Sequence, residues 1–250
     1  MPRSRRAWLL APLLLLPTAC STGAAAPEVV APWQRLAVLG ASASAGFGIE
    51  AGGGPVDLAE LLDLAVLAPH RPPERQATEL FFLNPEGWGE LLVDRVKERR
   101  PTGVVAVDYL FWSVYGVKAS EGERLAALER GLERLATLSC PIVLAEIPDM
   151  SAAVGGMLSR RQVPAPETLA LANARLRSWA ARRPNTVLLA LDPALLAEPA
   201  LQKDHLHPTL LGLAEIAVRA LDGLDRLDGA PAPTDTLLLD PEVLAARAAG

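Results

Sequence analysis

Leu36-Ala37-Val38-Leu39-Gly40-Ala41-Ser42-Ala43-Ser44-Ala45-Gly46-Phe47-Gly48 is the stretch on which the fold turns. Four apolar residues make a short strand of buried type, and the residues that follow are all small except Phe47, so the chain leaves the strand in a sharp turn. Ser42 sits at that turn. A hydroxyl placed there is exposed, and nearby backbone N–H groups can face a developing oxyanion. Serine is also a common N-cap at a strand-to-helix turn, so these thirteen residues alone leave both readings open.

Outward from this strand the pattern repeats. Apolar residues on a helical spacing occupy 56–67, and Pro69-His70-Arg71-Pro72-Pro73 breaks any helix and predicts a surface excursion. A helix is expected over 89–99, then a strand over 103–107. Leu125, Leu128, Leu132 and Leu135 line one face of a helix over 121–137, which precedes the strand Ile142-Val143-Leu144-Ala145. A further helix falls within 164–182, a strand over 186–190 and a last helix over 209–221. Apolar strands alternating with amphipathic helices predict an α/β fold of three layers, with a parallel sheet covered on both faces and right-handed crossovers. In such a sheet the ligand site lies at the carboxyl ends of the strands. Ser42, Asp108 and the segment Glu146-Ile147-Pro148-Asp149 all follow strands, so they fall on that edge.

Near the end of the domain stands Asp204-His205-Leu206-His207-Pro208, which holds two of the three histidines in the chain. An imidazole to take a proton and a carboxylate to orient it are what a serine hydroxyl needs to become a nucleophile. The segment follows the 186–190 strand and precedes the last helix, so it too reaches the carboxyl edge. A bland reading remains, in which Asp204 caps a turn and His207-Pro208 opens a helix.

Gly40-Ala41-Ser42 with Gly46 near the start of the domain, and Asp204-x-x-His207-Pro208 near its end, resemble the first and last blocks of the GDSL/SGNH hydrolases. The two blocks bracket the whole mature domain. The resemblance implies a flavodoxin-like α/β/α fold and an esterase in which Ser42 is the nucleophile and Asp204 and His207 complete a catalytic triad, without a cofactor or metal. It also has departures. Ala41 stands where the family usually carries Asp. The strand ending at Val107 runs into Asp108-Tyr109-Leu110-Phe111-Trp112 with no Asn, although the family's third block supplies an Asn to the oxyanion hole. Loss of one such donor costs about two to three orders of magnitude in rate. For the glycine of the second block, Asn84-Pro85-Glu86-Gly87-Trp88-Gly89 offers Gly87 or Gly89, of which Gly87 is preferred. Asp108 is a candidate for the pocket wall or for a hydrogen bond inside the site; a plain turn-forming Asp explains it equally.

The N-terminus predicts where the protein works. Basic residues at 1–6, an apolar run at 7–16 too short to cross a bilayer, and Leu16-Pro17-Thr18-Ala19-Cys20 resemble the export signal and lipobox of bacterial lipoproteins. This predicts a signal over 1–20, lipidation of Cys20 in the cell envelope, a tether over 21–32, the hydrolase-like domain over 33–225 and a tail over 226–250. Ordinary secretion with cleavage near Ala19 or Ala26 is the alternative. With Cys20 acylated only Cys140 remains, so no internal disulfide is expected. The net charge is −5 with scattered basic residues, which gives nucleic-acid binding no support. The expected partners are therefore a small-molecule, lipid or carbohydrate ester and, through the anchor, a membrane. Two other classes stand beside the esterase: a catalytically impaired binding or scaffolding module with the same fold, and a metal cluster built from Asp204, His205 and His207.

Overall fold

The structure is a computed structural model that describes residues 30–190, 192–227, 233 and 235–250. Its centre is a five-stranded, all-parallel sheet made of β1 (Arg35–Gly40), β4 (Arg71–Ala77), β5 (Gly103–Val105), β6 (Ile142–Ala145) and β7 (Thr186–Leu189), in the spatial order β4-β1-β5-β6-β7. The helices are α1 (Leu58–Ala65), α2 (Pro85–Arg99), α3 (Phe111–Val114), α4 (Glu121–Leu135), α5 (Pro166–Ala181), α6 (Leu210–Leu227) and α7 (Pro241–Ala249). A small antiparallel pair, β2 (Glu50–Ala51) with β3 (Gly54–Pro55), follows the Ser42 turn.

The inner strands β1, β5 and β6 are apolar almost end to end because both of their faces are covered. Alternation then divides their side chains between two cores. Ala37, Leu39, Val104, Ile142 and Leu144 face one core, closed by Leu92 and Val96 of α2, Leu128, Leu132 and Leu135 of α4, and Leu176 of α5. Leu36, Val38, Val105 and Val143 face the other, closed by Leu58 and Leu62 of α1, Leu213, Ala217 and Leu221 of α6, and Leu244 of α7. Helix starts carry their own signals. Asp57, Asn84, Ser120 and Asp240 each accept a backbone N–H of the first turn of α1, α2, α4 and α7.

One element differs from the sequence expectation. The proline-rich segment beginning at Arg71 is not an excursion but β4, paired with β1 from Arg35 and Arg71 to Gly40 and Ala77. Its two prolines are tolerated because β4 is an edge strand, where a missing N–H breaks no second ladder. The end of the chain also joins the fold. Leu238 donates its N–H to Ala65 O (2.7 Å), Leu67 to Thr236 O (2.8 Å), and Leu244 is fully buried against α1 and α6. Among the described residues no helix is long and apolar enough to cross a membrane.

Arg124 of α4 is buried. Its guanidinium donates to the carbonyls of Val114, Gly116, Arg161 and Gln162, tying α4 to the segment after α3 and to the segment before α5.

Candidate active site

Moving outward from β1, the chain crosses to β4 on one side and then to β5 on the other, so the order reverses at β1. That reversal opens a crevice at the carboxyl edge, the place where parallel α/β sheets hold ligands. Ser42 follows β1 and Asp108 lies just past β5, one on each side of it.

After Gly40 the backbone winds into tight turns, with Ala45 N–H on Ala41 O (2.9 Å), Gly46 on Ala43 O (3.1 Å) and Phe47 on Ser42 O (3.0 Å). Gly46 has φ +73°, and a Cβ there would lie 1.9 Å from Val56 O, so only glycine fits. The carboxylate of Asp108 fastens the same turn from across the crevice. Oδ1 accepts the N–H of Ala41 (3.0 Å) and the hydroxyl of Ser44 (2.6 Å), and Oδ2 accepts the N–H of Ser44 (3.1 Å). Gly40 makes the approach possible, since a Cβ would fall 2.1 Å from Asp108 Oδ1. The N–H groups of Ser42 and Ala43, between those two anchored amides, meet no acceptor among the described residues.

The second half of the site comes from the loop before α6. His207 is buried, with its ring against that of Phe47 (centroids 4.3 Å apart). Its Nε2 lies 2.9 Å from Ser42 Oγ, and its Nδ1 lies 2.7 Å from Asp204 Oδ2. Asp204 Oδ1 accepts the backbone N–H groups of Leu206 (2.9 Å) and His207 (3.0 Å). Burial raises the Asp204 carboxyl, but the His207 N–H and imidazole and the Leu206 N–H outweigh it and hold the group below the usual carboxylate range. Gln202 joins the two halves. Its side-chain amide donates to Phe47 O and Pro208 O, both at 2.8 Å, and its N–H to His207 O.

The structure thus brings Ser42, Asp204, His207 and Asp108 to one crevice. It does not bring Gly87 there. Asn84 caps α2 and Pro85 opens it, so Gly87 lies in the first helical turn and its N–H donates to Asn84 Oδ1 (3.1 Å). Gly89 is buried beneath the Tyr109 hydroxyl, which donates to its carbonyl (3.1 Å). His205 is exposed in a left-handed backbone conformation (φ 57°). Both ring nitrogens of His207 face Asp204 and Ser42, and among the described residues no three His, Cys, Asp or Glu side chains are placed to hold a metal ion. Cys20 lies outside the described residues.

A cavity of about 140 Å³ opens beside Ser42 Oγ and His207, walled mainly by apolar side chains from the carboxyl ends of β5, β6 and β7 and from α6.

The chain superposes on three solved structures at 16% identity each. They are TesA (TM-score 0.51, covering 78% of this chain and 99% of that chain), a lipase/acylhydrolase from Enterococcus faecalis (0.53, 80% and 100%) and a gut microbial diltiazem-metabolizing enzyme (0.53, 78% and 48%). The chain has the SGNH hydrolase fold. No family model matches its sequence, and neither does any curated protein. Within the SGNH fold it carries a carboxylate, Asp108, just past β5, at the edge where an amide donor was expected. Asp108→Ala strips three hydrogen bonds from the Ser42 turn. The unpaired amides should lower the melting temperature, and, under the esterase reading proposed below, a displacement of Ser42 by as little as ~1 Å should lower kcat about a hundredfold.

Proposed function

We propose that the protein is an exported, lipid-anchored serine esterase of the SGNH type. The observation that carries this reading is the chain Ser42 Oγ, His207, Asp204 at 2.9 and 2.7 Å, set on the carboxyl edge of the sheet. In this mechanism His207 Nε2 takes the Ser42 proton as Oγ attacks the acyl carbon, and Asp204 holds the tautomer with its proton on Nδ1. The collapsing intermediate expels the alcohol, which leaves with the proton from His207. Water, activated by the same imidazole, then releases the acid and restores Ser42. The N–H groups of Ser42 and Ala43 are the donors that the developing oxyanion can reach.

Export and anchoring through Cys20 are supported by the basic and apolar segments at the N-terminus and the small residues before the cysteine. One observation favours the impaired module as a second reading. Gly87 spends its N–H on Asn84, and no Asn follows β5, so the oxyanion is left with backbone donors from a single turn.

The two readings separate on purified protein offered p-nitrophenyl butyrate and, in parallel, a fluorophosphonate. An esterase turns over the ester and gains one phosphonate adduct on the peptide that contains Ser42. Neither turnover nor adduct at any pH from about 6 to about 9, a window that crosses the ordinary imidazole range, would leave only the binding module.

A further inference from the structure

The cavity beside Ser42 has two different ends. Its lining comes from the carboxyl ends of β5, β6 and β7 and from α6, which starts three residues after His207 and contributes Gly212, Ile216 and Arg219 in steps of four and three residues. At 1.5 Å per residue this stripe is about 10 Å long. Leu110, Trp112, Ile147, Met150, Leu196 and Ile216 give it apolar walls. At the end of the stripe the chemistry changes. Arg219 Nη2 donates to Asp192 Oδ2 and Nε to Glu215 Oε1, both at 2.6 Å, so the cavity residue of α6 farthest along the helix from His207 is a guanidinium held by two carboxylates.

We propose that this cavity takes the acyl half of the ester as an unbranched hydrocarbon chain of medium length, and that the paired Arg219 sets the length limit. The proposal rests on the esterase reading above and names its substrate class. The acyl half is the one to enclose, because it stays bonded to Ser42 Oγ after the alcohol has left and until water releases it. A walled apolar groove then gains about fourfold in affinity for each methylene it removes from water. An acetylated sugar would leave the groove empty and would find few polar partners along it. A chain longer than the groove must lie against the paired, partly hydrated Arg219 guanidinium, where further methylenes leave water without entering an apolar wall and so gain little.

The test uses p-nitrophenyl acetate, butyrate, octanoate and palmitate with the full-length protein, compared by kcat/KM. The octanoate ester should exceed the acetate by at least tenfold and also exceed the palmitate. Arg219→Met should raise the palmitate-to-octanoate ratio about tenfold, and Ile216→Phe, which fills the groove midway, should lower the octanoate-to-butyrate ratio. A preference for acetate, equal rates for octanoate and palmitate, or ratios that neither folded variant moves would overturn the proposal while leaving the esterase reading intact. If no ester is hydrolysed, the esterase reading fails, and the groove is judged by titrating octanoate and butyrate against tryptophan fluorescence, Trp112 being in its wall. Tighter binding of octanoate then supports the groove, and equal binding overturns it.

Discussion

Ser42→Ala lowers kcat for any ester the protein hydrolyses by about six orders of magnitude, His207→Ala lowers it by as much, and the double variant is no slower than either. The non-additivity follows from geometry. The Ser42 hydroxyl is nucleophilic only while His207 Nε2, 2.9 Å away, can take its proton, and among the described residues Nε2 has no other hydrogen-bond partner. Removing one group therefore removes the function of both. What survives is the contribution of the Ser42 and Ala43 amides and of the pocket. Burst and steady-state kinetics on the three variants would check this, and additive losses would show that His207 and Ser42 do not act as one unit. The Ser42 variant should keep its melting temperature, because Asp108 grips the turn through Ala41 and Ser44 and not through Ser42.

Asp204→Asn lowers kcat by about four orders of magnitude with the loop unchanged in shape. Oδ1 still accepts the N–H groups of Leu206 and His207, and that fixes the side-chain orientation. The amide NH2 must then face Nδ1, which forces the ring proton onto Nε2. The imidazole would present a donor to Ser42 and lose its role as base. The same substitution reports on stability. The folded carboxyl lies below its unfolded value of about 3.9, so its contribution to stability is complete above that pH and is lost as pH falls through the lower folded value. Denaturant titrations between pH 2 and 6 should show an acid limb in the wild type that is shallower in Asp204→Asn. An unchanged limb would mean that other carboxylates govern acid unfolding.

The strands that proved readable are those written as apolar runs, including the half-buried edge strand β7. β1, β5 and β6 announce themselves as unbroken apolar runs, whereas β4 is written Arg-Pro-Pro-Glu-Arg-Gln-Ala and reads as a loop. Its burial is partial and its partner lies on one side only, so neither hydrophobicity nor propensity marks it. The Ser42, Asp204 and His207 positions were legible because an acid and a base three residues apart are a local pattern. Gly87 was not, because a glycine beside Asn-Pro fits a loop as well as a capped helix, and only the bond from its N–H to Asn84 separates them. Asp108 was visible as a carboxylate after a strand. What it grips is a turn 64 to 67 residues earlier, and no local pattern carries that. The burial of Arg124 was hidden for a related reason: a charged side chain acquires burial from distant neighbours alone.

Gln202 gives the site one further property. The turn that holds Ser42 and the loop that holds His207 are joined by an uncharged amide whose two bonds reach carbonyls, one of them 155 residues away. Added salt screens exposed ion pairs but has nothing to act on in such a bond. The alignment of nucleophile and base is therefore expected to survive large changes in ionic strength.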